Sequence, residues 1–164
     1  MTDTSENLHE VSTRDYQPED APLLAALFRA AILDAGSTAY SAAQCAAWAA
    51  RADDAQAWAQ RLQENWVRVA VDDEGEIAGF GGICMPGHID LLFTAPHAAR
   101  QGVASLILED LLALAAAMGA REVTVDASDI ARPLLARHGF ELVASDEQAC
   151  GDARLRCHRM RRRG

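Results

Sequence analysis

The stretch Thr94–Gly119, TAPHAARQGVASLILEDLLALAAAMG, decides the fold. Its first third is loop-like, with Pro96, small residues, Arg100 and Gly102. From Val103 to Met118 there is neither Pro nor Gly, and apolar residues recur at helical spacing, which predicts a long helix. A compact Arg-Gln-Gly-Val-Ala turn opening such a helix has two readings. It reverses the chain, or its backbone N–H groups hold an anion. The first N–H groups of a helix lack intrahelical partners, and the macrodipole adds about half a positive charge there. Gly102 lets a phosphate come close to the backbone, Ala104 adds little bulk, and Arg100 brings a charge. The turn is not a GK[ST] phosphate loop, and it lacks the three glycines of a dinucleotide fingerprint.

Outward from this stretch the period of the pattern changes. HIDLLFT, just before it, reads as a strand that follows a Pro86–Gly87 turn. IAGFGGICM and WVRVAVDD, joined by the turn residues DEGE, read as two more strands, giving an antiparallel meander. Further upstream, HEVSTRDY predicts a first strand. QPEDAPLLAALFRAAILDAG predicts a helix with Leu23, Leu24, Leu27, Phe28 and Ile32 as one apolar stripe. A short helix follows Ser41, and another is capped by Asp53 or Asp54. Downstream come a strand in REVTVDA, a helix in SDIARPLLARHG capped by Ser128 or Asp129, and a last strand pair in FELVAS and ARLRCHRM. The expected fold class is α/β, more strictly a mixed, mostly antiparallel sheet with helices on both faces, in one domain spanning 1–164.

Composition narrows the function classes. With 50% hydrophobic and 24% charged residues the chain is an ordinary globular one. No apolar run reaches the roughly 20 residues that cross a bilayer, and the acidic, polar start lacks the features of a secretory signal, so a cytoplasmic protein with no membrane partner is expected. The net charge of −9 argues against nucleic acid, whose binding rests on phosphate neutralisation, and favours a cationic substrate. Cys45, Cys84, Cys150 and Cys157 form no CxxC pair, so they read as small hydrophobes and no metal site is expected.

Two blocks together, GVA at Gly102–Ala104 and ARPLLARHGF at 131–140, with the spacing between them, resemble the GNAT superfamily of N-acetyltransferases. There a strand ends in a hydrophobic-Pro turn, a [Q/R]-x-x-G-x-[G/A] loop opens a long helix, and a later segment ends in GF. The matching positions in the later segment are Ala131, Leu134, Gly139 and Phe140. The resemblance implies acetyl-CoA as ligand. Arg100, Gln101, Gly102, Val103, Ala104 and Ser105 would hold its pyrophosphate. Leu92, Phe93 and Thr94 would pair their backbone with its pantetheine arm. Ser128 stands where the family often has an Asn that contacts the cofactor, and it is equally a helix cap. The sequence departs from the family twice. Ala99 takes the first loop position, and Leu135 takes that of the usual general-acid Tyr.

Transfer to an amine requires a neutral nitrogen, a polarised thioester carbonyl and a leaving thiolate. An amine of pKa ~10.4 is mostly protonated at neutral pH, so a base or water relay is expected. Strict alternation would place His88, Asp90, Leu92 and Thr94 on one strand face, with His88 and Asp90 roughly 7 Å apart. Family members commonly carry the base on this strand, so His88 and Asp90 are the candidate catalytic pair. Tyr40, Gln44 and Trp48 are the candidate walls of an acceptor pocket. The acceptor is a small-molecule or protein amine, and a homodimer through a sheet edge is compatible with the pattern. A non-catalytic acyl-CoA sensor is the competing reading, favoured by Leu135.

Overall fold

The computed structural model describes residues 10–163; His9, the start of the first expected strand segment, lies outside them. Seven strands form one sheet in the order β1-β2-β3-β4-β5-β7-β6. They are β1 Ser12–Asp15, β2 Trp66–Val71, β3 Ile77–Cys84, β4 His88–Thr94, β5 Glu122–Ala127, β6 Glu141–Cys150 and β7 Ala153–Arg163. Every neighbouring pair is antiparallel except β4 and β5, which run parallel. The helices are α1 Ala21–Ala35, α2 Ala42–Ala49, α3 Ala55–Gln63, α4 Val103–Ala117 and α5 Arg132–Arg137.

Two apolar layers sandwich the sheet. On one face Leu24, Phe28 and Ile32 of α1, with Trp58 and Leu62 of α3, pack on Val67, Val69, Phe80 and Leu91. On the other, Val103, Ile107, Leu108 and Leu111 of α4, with Leu135 of α5, pack on Ile83, Ile89, Val123 and Val125. α4 sits close to β3 because Gly79 and Gly81 carry no side chain: a Cβ on Gly81 would lie 2.6 Å from Ile107 Cγ2. Leu24, Leu27, Phe28 and Ile32 recur at helical spacing and are buried, whereas Leu23, expected in the same stripe, is 60% exposed. One residue on a helix turns the side chain by about 100°, so Leu23 falls outside the stripe. The helical run Pro18–Thr38 has 21 residues, and an 18-residue window within it reaches a mean hydropathy of 1.2, enough in length and composition to cross a membrane. Here its apolar face lies on the sheet.

Local chemistry sets the element ends. Asp54, rather than Asp53, caps α3, its Oδ1 accepting from the N–H groups of Gln56 and Ala57 at 3.0 and 3.1 Å. Ser41 and Gln44 form a reciprocal capping box on α2. The last predicted helix begins later than expected, at Arg132. Ser128 instead stabilises the turn before it, its Oγ accepting from Ala131 N–H at 3.1 Å.

The decisive local feature is a bulge in β4. Gly81 pairs with Leu92 and Gly82 with Leu91, but Ile83 pairs with Ile89, so Asp90 is the extra residue. Alternation therefore breaks there. Ile89 and Leu92 belong to the α4 layer, while Leu91 and Phe93 belong to the α1 layer.

Candidate active site

β4 and β5 pair at only two positions, His88↔Thr124 and Ile89↔Val125, and then part. The gap between them is a V whose closed end lies at those two pairs. Along β4, Ala95 N–H donates to Ala78 C=O at 2.8 Å. In an antiparallel ladder such pairs alternate, so Phe93 and Leu91 turn their backbone polar groups toward β3. Those of Leu92 and Thr94 point away from β3, into the V. Of the three strand residues expected to offer backbone to a ligand, Leu92 and Thr94 have backbone groups facing the V, and Phe93 is spent on its pairing with Phe80.

The wide end of the V meets the start of α4. Gly102 is the N-cap, in the left-handed conformation at φ +80°, and no side chain among the described residues caps the helix. Its first N–H groups are thus free for an anion. Arg100 also adopts a positive φ of 64°, which folds the loop tightly back on itself. A cleft of about 720 Å³ runs along this end and is lined by Leu92, Phe93, Thr94, Arg100, Gly102, Val103, Ala104, Ser105, Ser128 and Trp48 among others. Gln101 lies in the loop but does not line the cleft. Arg137, which the sequence did not single out, lines it from α5. Ser105 is further fixed by His138, whose Nε2 lies 3.1 Å from its Oγ. Leu135 is fully buried, so the position of the family tyrosine offers no proton donor.

The acceptor-side candidates separate. Trp48 reaches the cleft, edge-on to Phe93 with centroids 6.1 Å apart. Tyr40 does not line it: the side chain is buried, its hydroxyl donating to Arg156 C=O at 3.1 Å and accepting from Asp129 N–H at 2.8 Å. Its ring also carries the Arg156 guanidinium 5.1 Å from the centroid. Gln44 is engaged with Ser41 and with Arg154 C=O. These two side chains tie α2 and the loop before it to β7, so the structure does not bring Tyr40 and Gln44, expected as substrate walls, to the cleft.

His88 and Asp90 do not share a face with Leu92 and Thr94, because the bulge intervenes. Both lie on the α1–α3 face. Asp90 Oδ2 accepts from Arg61 Nε at 2.9 Å and from Asn65 Nδ2 at 3.0 Å, and Oδ1 accepts from Arg61 Nη2 at 3.2 Å. Burial would raise its carboxyl, but the hydrogen bonds and charge of Arg61, with Asn65 and His88, hold it below the ordinary value. Three hydrogen bonds and a reduced basicity favour a clamp between α3 and the bulge over the expected base role of Asp90. His88 has another neighbourhood: Nδ1 lies 2.8 Å from Thr124 Oγ1, and Nε2 lies 3.7 Å from Asp126 Oδ2. Nearby Cys157 is pushed up to about 11 by burial and by the charges of Asp126 and Asp146, so it is a thiol at neutral pH. A thiol is a poor nucleophile, which argues against an acyl intermediate on Cys157.

Residues 37–163 match the profile of the acetyltransferase (GNAT) domain. The uncharacterized N-acetyltransferase YafP of Escherichia coli (strain K12) is 34% identical over 146 residues, 89% of this chain and 91% of that protein. A GCN5-related N-acetyltransferase from Rhodopseudomonas palustris superposes with a TM-score of 0.92 at 32% identity, covering 96% of this chain and 98% of its own. The PaiA N-acetyltransferase of Thermoplasma acidophilum, solved with coenzyme A, shares the fold at a TM-score of 0.78, 14% identity and coverage of 94% and 99%. An uncapped helix start beside an open strand edge, within this sheet and over this length of shared sequence, makes the chain a member of the GNAT family of acetyltransferases.

Proposed function

We propose that the protein transfers the acetyl group of acetyl-CoA to a primary amine by direct attack of the nitrogen on the thioester. The observation that carries this reading is the meeting of two unsatisfied backbone surfaces in one cleft. The uncapped start of α4 suits a pyrophosphate. The Leu92 and Thr94 edge, abandoned by β5, suits an extended amide-bearing arm. Arg100 and Arg137 add positive charge at the phosphate end. Toward the closed end of the V, the N–H of Leu92 itself, which points away from β3, would polarise the carbonyl. His88 lies on the opposite side of that end, where an amine enters.

Leu135 favours a second reading, a sensor that binds acyl-CoA without turning it over. The thiolate is already a tolerable leaving group, so lacking a general acid costs about 10²–10⁴ in rate rather than all catalysis. Titration calorimetry with acetyl-CoA, against ATP and NAD as controls, tests the shared premise. Selective micromolar binding is expected, lost in Gly102→Trp, whose side chain would fill the open space above the helix start. Unchanged affinity in that variant would remove the loop from the site. CoA release with a panel of primary amines then separates enzyme from sensor.

A further inference from the structure

We infer that Asp126 docks the ammonium of the acceptor, that His88 Nε2 takes its proton, and that Thr124 is a positioning residue that fixes the His88 ring. The inference rests on the acetyltransferase reading above and adds the acceptor-side residues to it.

β5 supplies both partners from one strand face. Val123 and Val125 point into the α4 layer, so Thr124 and Asp126 point to the other side, with His88. The three side chains stand at the closed end of the V, because His88↔Thr124 is one of the two pairs that join β4 to β5. His88 and Asp126 are each about one-third exposed, so a substrate from solvent reaches them.

The chemistry of the partners is asymmetric. A hydroxyl donates or accepts, but a carboxylate only accepts. Nε2 is 3.7 Å from Asp126 Oδ2, too far for a hydrogen bond, so Asp126 does not claim the Nε2 proton. Thr124 Oγ1, at 2.8 Å, is close enough to accept a hydrogen bond from Nδ1–H, which is the tautomer we assign. The ring then presents the Nε2 lone pair toward a carboxylate, an arrangement that calls for a positively charged donor between them. A primary ammonium has three N–H groups and fits. Two donors at about 2.9 Å and tetrahedral angles span acceptors about 4.7 Å apart, so the pair opens by about 1 Å on binding.

The surrounding charges leave the spot available. Asp126 Oδ1 faces Arg159 Nε at 3.4 Å, which leaves Oδ2 toward His88. Asp90 is held by Arg61, and Glu122 faces Arg161 and Arg163. From β3, Cys84 Sγ donates to the His88 carbonyl at 3.5 Å.

The step balances as follows. One ammonium proton passes to His88 Nε2, leaving a neutral amine. Its lone pair forms the C–N bond at the thioester carbonyl, the C–S bond breaks, and its electron pair goes to sulfur. The second nitrogen proton goes to the thiolate through water, and His88 releases its proton to solvent. The sum is an ammonium plus a thioester giving an amide, a thiol and one proton.

The test needs no known acceptor. Ring ¹⁵N shifts of His88, identified by loss of its signals in His88→Ala, should show the Nδ1–H tautomer in the full chain. Thr124→Ser should keep that preference and Thr124→Val should lose it. Ethylamine or 1,4-diaminobutane should perturb the His88 ring signals, tetramethylammonium should not, and Asp126→Asn should abolish the effect. An Nε2–H tautomer, or an amine response unchanged in Asp126→Asn, overturns the proposal. With an amine found by screening, Asp126→Asn should raise KM about 10- to 100-fold with a smaller change in kcat. Thr124→Val should lower kcat more than it raises KM. Acetyl-CoA calorimetry on the same variants separates the two levels. Binding that is absent in the parent chain defeats the acetyltransferase reading, whereas intact binding with a wrong tautomer defeats only this one.

Discussion

Replacing Asp90 by Asn asks whether this carboxylate is a base or a clamp, and the two roles predict opposite results. The carboxylate accepts two hydrogen bonds from Arg61 and one from Asn65, with Asp90 and Arg61 side chains only 30% and 28% exposed. The amide keeps the shape and one acceptor, but turns an NH₂ toward donors that it cannot satisfy. Charge-assisted bonds contribute about 1.5–3 kcal/mol each before discounting for solvent, so the loss should be about 2–3 kcal/mol in all. That is a sizeable part of the roughly 5–15 kcal/mol that holds a domain folded. Urea unfolding followed by the fluorescence of buried Trp58 gives the readout. With a slope of about 1–3 kcal/mol/M the midpoint should fall by about 0.7–3 M with the slope unchanged. Turnover per folded molecule should fall less than tenfold, against the 10²–10⁴ expected on removing a general base. An unchanged midpoint together with a hundredfold loss of turnover would refute the clamp and return the proton transfer to Asp90.

Other perturbations follow from the same geometry. Gly81→Ala should cost about 1–3 kcal/mol, because its Cβ would sit 2.6 Å from Ile107 Cγ2 and 3.0 Å from Leu111 Cδ1; a wild-type melting temperature would show that α4 yields. Arg100→Gly relieves a positive φ of 64° while removing a charge from the cleft, so stability should hold or rise and acetyl-CoA affinity should weaken about fivefold or less, as calorimetry would report. Acid should destabilise the fold in a defined window. Asp20, hydrogen-bonded by Arg14, lies below the ordinary carboxylate value. So do Asp90 and Asp129, where the bonds from Arg61 and from Arg156 and His158 overcome burial. A carboxyl lowered in the fold adds stability that is complete above its unfolded value of about 3.9 and is lost as pH falls through the folded value. Urea midpoints should therefore drop steeply below about pH 4, and Asp129→Asn should lower the neutral midpoint while flattening that drop.

The elements were legible because their signals are local. Asp54 and Ser41 mark helix starts, Gly139 a helix stop, and the valines of β2 and β5 a period of two. The uncapped helix start at the cleft was legible for the same reason, since Gly102 and the helix it opens are adjacent in the chain. What failed depended on partners far away in sequence. Tyr40 is claimed by Asp129 and Arg156, 89 and 116 residues on, and no pattern near Tyr40 announces either. Asp90 is claimed by Arg61 on a helix that the sequence had placed but not oriented.

The bulge at Asp90 is the instructive miss, because a trace of it is present in HIDLLFT. A strand that alternates through Ile89 and Leu91 and then continues apolar through Leu92 and Phe93 is covered on both faces, so alternation alone could not show which residues share a side. The physical consequence decides where the chemistry can occur. Without the extra residue, His88 and Asp90 would join Leu92 and Thr94 on the α4 face. There Ile107, Leu108 and Leu111 are fully buried against the sheet, which leaves no space for an acceptor. With it, the same seven-residue strand leaves its backbone edge open beyond the bulge, where the proposed acyl donor would pair, and before the bulge turns His88 to the opposite face, beside Thr124 and Asp126. Donor and acceptor can then approach one strand from different sides and meet where β4 and β5 close.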